Sequence, residues 1–281
     1  EYVHDDIFDE IPAYRYLIDQ TTKNFGAFLQ SDWAFTPSLT LLAGARLDKH
    51  NLLKDIVINP RVSLLYRLQT QTQFRFSWGT GFRAPQAFDA DMHIAFAGGG
   101  ISRINLSPDL TEERSQSISA SVNYDMPKEK YVYGFTLEGF HTQLKDAFVM
   151  EEVGEDEFGM LFEKRNAGFS KVTGGTLEMR ANYNRLYQLE AGATYQKSSY
   201  DKPILISDDL APTDRFLKSP DYYGYFTLSA TPKSNFSGSF TGVYTGPMLL
   251  VHFAGAPELP DTDEYVQTEG YFDVNMKLAY T

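Results

Sequence analysis

The sequence predicts an all-β protein, an antiparallel up-and-down transmembrane β-barrel, from three observations. Apolar and polar residues alternate with a period of two. The alternating segments are mostly ten residues or longer. The connections between them are short and long in strict turn. No stretch sustains helical spacing. Strands of ordinary globular domains have a mode near five or six residues, whereas a tilted spanning strand needs roughly nine to eleven.

Four segments show the alternation. Phe74, Phe76, Trp78 and Phe82 lie on one face of a strand whose other face carries Gln73, Arg75, Ser77, Gly79 and Gly81. Ile118, Ala120, Val122 and Tyr124 alternate with Ser117, Ser119, Ser121 and Asn123. Leu177, Met179, Ala181 and Tyr183 alternate with Thr176, Glu178, Arg180 and Asn182. Phe272, Val274, Met276, Leu278 and Tyr280 alternate with Asp273, Asn275, Lys277 and Ala279. Side chains of a strand point alternately to opposite faces, so each segment has one apolar and one polar face. Phe74, Phe76, Trp78, Ile118, Val122, Leu189, Phe240, Val274 and Leu278 are expected on a lipid face. Arg75, Ser119, Glu190, Asp273 and Lys277 are expected on a lumenal one.

About eleven strands follow, near 23–35, 39–48, 58–68, 73–82, 115–124, 131–145, 166–183, 187–200, 221–230, 236–246 and 269–280. The connections at 36–38, 69–72, 125–130, 184–186 and 231–235 are short and belong on one rim. Those at 51–57, 83–114, 146–165, 201–220 and 247–268 are longer and belong on the other. Tight turns at one end and long loops at the other are how outer-membrane barrels are built. Tyr66, Tyr124, Tyr131, Tyr133, Tyr183, Tyr187, Tyr244 and Tyr280 sit beside turns and loops, as interfacial girdles do. A soluble β-sandwich or lipocalin-like barrel also has two-faced strands, but not these lengths or this alternation of loops.

Composition excludes other classes. The 281 residues carry 25 Lys and Arg against 37 Asp and Glu, a formal charge of −12, which is wrong for a general nucleic-acid binder. With no cysteine there is no disulfide, thiolate metal site or cysteine nucleophile. The acidic start, Glu1 to Asp6, lacks the basic and apolar regions of a secretion signal. The longest uncharged stretch, Ser234 to Pro257, is too rich in Ser and Thr for a spanning helix. No Gly-x-Ser-x-Gly elbow or Ser–His pairing among His4, His50, His93, His141 and His252 points to an enzyme. Glu151, Glu152, Glu155, Asp156 and Glu157 form an acidic run, expected in a Gly-containing loop. It is read first as a solvated tip and second as a calcium site.

A series of motifs in one order carries a family resemblance. Gly44-Ala45-Arg46-Leu47-Asp48 ends one strand and Asn59-Pro60-Arg61-Val62-Ser63 opens the next. Gly79-Thr80-Gly81-Phe82-Arg83-Ala84-Pro85 is followed by Asn105-Leu106-Ser107-Pro108-Asp109-Leu110-Thr111-Glu112-Glu113 and Arg114-Ser115. Then come Asn166 and Val172-Thr173-Gly174-Gly175-Thr176-Leu177-Glu178. From about Asn24 onward the chain resembles the barrel of TonB-dependent outer-membrane receptors, of the ferric-siderophore or cobalamin type. The strongest likeness is a Phe-Arg-Ala-Pro box followed by an Asn-Pro-x-Leu box. The second box departs from the pattern, since Leu106 and Ser107 separate Asn105 from Pro108.

The resemblance implies a barrel of about 22 strands closed by a plug domain. Residues 1–281 would then be a barrel segment, with the plug, its TonB box and the remaining strands outside it. It implies a bacterial outer-membrane receptor that captures a scarce metal chelate outside and imports it with energy from TonB, with no catalysis. Its implied partners are the TonB complex through the plug, the chelate and outer-membrane lipid. No cofactor is required, and calcium in acidic loops is the one candidate ion. The alternatives are a haem receptor, with His93 between the two boxes as iron ligand, and a passive porin. The loop after Arg83 is the longest connection, and on loop-length grounds the functional one. Its candidate ligand-binding residues are Arg83, Phe88, Asp89, Asp91, Met92, His93 and Phe96, with Gly98, Gly99 and Gly100 as a hinge. The loop sequences show no dense Arg/Lys cluster of the kind that binds anionic catecholates by charge.

Overall fold

A computed structural model describes residues 1–85, 103–207, 209–232, 235–252, 254 and 262–280, with backbone only at positions 14, 150, 152, 160 and 167. Sixteen strands are defined among them. They are β1 (Tyr2–Ile11), β2 (Tyr16–Thr36), β3 (Leu39–His50), β4 (Val57–Gln69), β5 (Thr72–Arg83), β6 (Arg103–Leu106), β7 (Glu113–Pro127) and β8 (Tyr131–Asp156). They continue with β9 (Gly159–Tyr183), β10 (Tyr187–Ile204), β11 (Thr213–Arg215), β12 (Tyr222–Ala230), β13 (Phe236–Thr245), β14 (Leu249–His252), β15 (Glu264–Gln267) and β16 (Tyr271–Tyr280). A single 3-10 turn, Pro12–Tyr14, joins β1 to β2.

Twelve strands form one antiparallel meander in the order β1-β2-β3-β4-β5-β7-β8-β9-β10-β12-β13-β16. The short β6 and β11 add to it through β9 and β10, and β14–β15 is a separate hairpin. The sequence reading gives about eleven strands, and the difference is β1. Its acidic start hid an alternating strand that pairs with β2 from Tyr2↔Phe25 to Ile11↔Tyr16. No helix among the described residues is long and apolar enough to cross a membrane.

The five short connections lie on one rim, and they are bonded to one another. The amide of Arg67 donates to Ser38 O (2.7 Å), Asp125 to Gln71 O (2.9 Å), Asn184 to Lys130 O (2.6 Å) and Thr231 to Leu186 O (2.8 Å). Each turn thereby satisfies backbone groups of the next, as a sheet end requires. Local chemistry sets the turns. Thr36 Oγ1 accepts from the amides of Ser38 and Leu39. Asn184 and Arg185 both have positive φ (55° and 61°), the conformation of a two-residue hairpin turn matched to strand twist.

Strand registers settle which residues share a face, because directly paired residues point the same way. Leu41 pairs with Leu64, Leu64 with Phe76, and Phe76 with Ala120. A second row runs Val122, Leu137, Leu177, Ala193, Gly224, Tyr244 and Phe272. All nine residues expected on the apolar face lie there. The other face carries Arg75, Ser119, Glu190, Asp273 and Lys277 together with a ladder of polar pairs. Ser63 meets Ser77 (3.0 Å), Asn123 meets Thr136 (3.1 Å), Thr176 meets Thr194 (2.9 Å), and Arg180 Nε donates to Asp125 (2.7 Å).

The apolar face is bounded by aromatics at both ends. At the short-turn rim, ring pairs run Tyr66–Phe74, Tyr124–Phe135, Tyr131–Tyr183, Tyr183–Tyr187 and Phe236–Tyr280, with centroids 4.8–6.5 Å apart. At the far end stand Tyr195, paired with Tyr222, then Tyr244 and Phe272. From Tyr187 to Tyr195 the strand advances roughly 26 Å at about 3.3 Å per residue, or about 20 Å upright after a tilt near 40°. That is close to the ~25 Å apolar band of outer-membrane barrels. Above it the same face turns polar, with His141 held by Thr173 (2.6 Å) next to Ile118 in the pairing.

Candidate functional site

Two hairpins continue past the band. Pairing of β2 with β3 stops at Asn24↔His50, so β1–β2 runs free from there to its tip at residues 12–15. Pairing of β7 with β8 stops at Arg114↔Lys145, and β9 leaves β10 at Ser170, so β8–β9 runs on to a turn at 157–158. This second extension corrects one expectation. Residues 146–165 are not a loop; they pair strand to strand from Ala147↔Ala167 to Asp156↔Gly159. Gly159, with φ of 129°, permits the turn at the end. Strand alternation was disguised here by charges on both faces.

Each extension is rooted by an asparagine. Asn51 accepts from the Lys23 amide (2.7 Å) and donates to Thr21 O (2.8 Å) at the base of the first. At the base of the second, Asn166 accepts from the Thr111 amide (2.8 Å) and donates to Thr111 O (3.2 Å) and Asp146 O (2.7 Å). Asp146 itself is left-handed (φ 55°), where the hairpin departs from the sheet.

The two sequence boxes meet at that same base. Arg83 Nε donates to Glu113 Oε2 at 2.6 Å, and the Phe148 amide donates to Glu113 Oε1 at 2.7 Å. Glu113 is 6% exposed, so both its oxygens are spent on partners in a dry setting. Between the boxes, β6 returns as a parallel strand on β9, from Arg103↔Leu161 to Leu106↔Lys164. Ile104, 7% exposed, packs with Leu106, Phe162 and Ile18, the last contributed by the other hairpin. Burying an isoleucine this way contributes about 2 kcal/mol. The second box then turns at Ser107, whose carbonyl accepts from Leu110 (3.1 Å) and whose amide donates to Lys164 O (3.0 Å).

Cations gather on two rings of the second extension. The Arg83 guanidinium lies 4.9 Å from the Phe148 ring centre and Lys164 Nζ lies 4.7 Å from it. Arg15 and Arg103 lie 5.6 and 5.3 Å from the Phe158 ring centre. Such contacts contribute about 0.5–2 kcal/mol each, more where water is excluded, as around the buried Lys164. Sequence reading missed this cluster because its four members come from stretches far apart in the chain; only the hairpin lengths and the β6–β9 pairing bring them together.

Three members of the acidic run are held in ion pairs. Glu151 pairs with Arg165 (2.9 Å), Asp156 with Arg103, and Glu157 with Arg15 (3.2 Å), while Glu155 pairs across the strand with Met160 in backbone register. The Arg103 hydrogen bond, then the Phe158 amide, hold the Asp156 carboxyl below the usual carboxylate range. Arg165 and then Ser107 do the same for Glu163. Among the described residues no three metal-ligating side chains converge, and the Glu152 side chain lies outside them. Of the candidate ligand-binding residues, Arg83 stands at the base of the second extension. Phe88, Asp89, Asp91, Met92, His93 and Phe96, with the three-glycine hinge, lie outside the described residues.

A cavity of about 270 Å³ lies between the two bases, lined by Asp5, Thr22 and Asn24 of the first hairpin, by His50, and by Phe82, Arg83 and Ala84. Thr22 and His50 are each 3% exposed. A larger apolar groove of about 500 Å³ lies on the apolar face of β12, β13 and β16 at the short-turn rim.

Comparison with solved structures places the fold. The siderophore receptor PirA of Acinetobacter baumannii superposes with a TM-score of 0.66 at 14% identity, over 93% of this chain and 40% of that one. A mutant of the ferric enterobactin receptor PfeA of Pseudomonas aeruginosa gives 0.66 at 14%, over 97% and 40%. A variant of the FrpB iron transporter of Neisseria meningitidis gives 0.64 at 17%, over 95% and 40%. The chain therefore spans about two fifths of the length of these structures. No curated protein matches it. The model of the family described as "TonB dependent receptor-like, beta-barrel" matches residues 2–281. With its two-faced sheet, its unequal rims and that match along nearly all of its length, the chain belongs to the β-barrel family of the TonB-dependent receptors.

Proposed function

We propose that the complete protein is a receptor of the bacterial outer membrane that binds a ferric siderophore on the long-hairpin side and imports it with energy from TonB, acting through a plug domain. The carrying observation is the pair of hairpins, β1–β2 and β8–β9, that runs on beyond the apolar band on the long-connection side, with a polar hollow between their bases. The siderophore and iron receptors among the structural neighbours support the same direction. Asp89, Asp91 and His93 are the residues proposed to stand nearest the chelate, and the apolar face is proposed to meet lipid.

The test is uptake by cells whose own siderophore receptors are deleted and which express the full-length protein. Radio-iron would be supplied as a catecholate chelate and as a hydroxamate chelate, with labelled cobalamin and haem in parallel. Iron-chelate uptake abolished by loss of TonB supports the reading. Uptake of cobalamin or haem alone overturns the ligand class, and uptake indifferent to TonB returns the porin alternative. Substituting Asp89, Asp91 and His93 together should weaken uptake at unchanged receptor abundance.

A further inference from the structure

The two free hairpins come from opposite parts of the sheet, with β3, β4, β5 and β7 between them, yet their tips touch. Arg15 Nη1 reaches Glu157 Oε1 at 3.2 Å and the same guanidinium lies over Phe158. Arg15 is held in a left-handed backbone conformation (φ 49°) at the end of the Pro12–Tyr14 turn, its amide bonded to Pro12 O at 3.1 Å. That conformation is unfavourable for a residue with a Cβ. Below it, Ile18 of the first hairpin meets Ile104 of β6, the strand laid along β9 of the second, together with Phe162.

The contact is graded in strength. Its outer part is wet, with the Arg15 and Glu157 side chains 77% and 61% exposed, so this pair holds weakly. Its inner part is the small apolar cluster around Ile104. At the bases of the same two hairpins lies the 270 Å³ cavity, with Asp5 and Thr22 on one side and Arg83 on the other. Arg83 belongs to the second hairpin's base through Glu113 and Phe148. The hairpins thus form an arch, joined at the tips and separated at the feet by a polar hollow.

We propose that Arg15, Glu157 and Phe158 form a latch between the two hairpin tips, and that its opening and closing governs how fast a solute from outside reaches the hollow between their bases. The proposal goes beyond the transport reading and holds for any solute small enough to enter. The outer part of the contact, an exposed ion pair and a ring, can release without unfolding either hairpin, since the roots at Asn51 and Asn166 lie apart from it.

The test uses the full-length receptor in outer-membrane vesicles. Ala84→Cys places a reporter thiol in the hollow; the 281 residues carry no other cysteine, and the unsubstituted receptor gives the background. Labelling with a small charged methanethiosulfonate is followed in the parent latch, in Glu157→Arg, in Arg15→Glu and in the double reversal. Each single reversal should raise the labelling rate by about two- to fivefold, the range open to a weak exposed pair. The double reversal should bring it back towards the parent value. In parallel, spin labels at Asp19→Cys and Val153→Cys, both exposed and near the tips, read tip separation by pulsed EPR. The distance distribution should broaden in the single reversals and narrow in the double one. Equal labelling rates in all four proteins, or single reversals that leave the spin-label distances unchanged, overturn the latch.

Discussion

The stretch of β8–β9 below His141 and the stretch above Lys145 are one hairpin built on two principles. Below, it is a two-faced sheet wall, with Leu137 and Leu177 paired on one face and Glu138 and Thr176 paired on the other. Tyr131 and Tyr183, 4.9 Å apart, close that wall at the rim. Above, among the described residues no strand flanks β8 on its outer side, and the hairpin is held by specific groups: Glu113, Asn166, Arg103 and the β6 strand. The wall is stabilised by many interchangeable residues that need only be apolar or polar. The extension depends on few residues, each with a fixed partner. Substitutions should therefore act by depth in the first region and by partner in the second.

The largest effect is expected in the wall. Phe76→Arg puts a cation at the middle of the apolar face, at a cost of about 2–4 kcal/mol where that face meets hydrocarbon. Urea unfolding of the complete barrel in lipid vesicles would measure it; a cost below about 1 kcal/mol would mean that this face does not meet lipid. In the extension, Glu113→Ala strips Phe148 of its amide acceptor and Arg83 of its carboxylate. It should cost about 1–3 kcal/mol locally, read as faster amide hydrogen exchange at residues 147–150 with no change across 131–140. Exchange rising equally in both stretches would erase the contrast between them. At the rim, Tyr183→Ala removes ring contacts to Tyr131 and Tyr187, about 0.5–1.5 kcal/mol beyond the lost area. A neighbouring tyrosine variant should cost a similar amount, because the girdle residues are equivalent.

The smallest effect is a pH dependence. Arg103 holds the folded-state pKa of Asp156 below its ordinary value. The stability it contributes is therefore fully present above the unfolded carboxylate range, and is lost as pH falls through the depressed folded value. Proteolytic nicking of the β8–β9 tip should stay flat from pH 8 to about 5 and rise only below about 4. The Asp156→Asn variant should nick at the higher rate throughout, and a wild-type rise already at pH 6 would assign the dependence to another group.

That division also explains what could be read from the chain alone. The wall was legible: alternation in residues 73–82, 115–124 and 269–280, the five short turns and the tyrosines all follow from one repeated constraint, an apolar face opposite a polar one. The extensions were not. Residues 146–165 carry charges on both faces because each charge answers a particular partner, Arg165 for Glu151 and Arg103 for Asp156. No periodicity marks such a strand, so the segment looks like a loop. Tyr2–Ile11 was missed for the same reason, since His4, Asp6 and Thr21 satisfy one another across the hairpin. The motif boxes were visible as a pattern, but their job was not: Arg83 and Glu113, thirty residues apart, form one joint, and Thr111 and Asn166 another.

The chain of hydrogen bonds between successive short turns couples their lengths. An extra residue beside Gln71 would unhook the Asp125 amide, and one beside Lys130 would unhook that of Asn184, so each insertion disturbs the neighbouring hairpin as well as its own. The turn at 157–158 carries no such obligation to a neighbouring turn. Sequence drift and deliberate grafting are thereby channelled to one end of the molecule. A foreign peptide inserted at Glu157–Phe158 would disturb the contacts of that one tip, with Arg15, Arg103 and Asp156, while the same peptide at the opposite rim would spread its damage around the circumference.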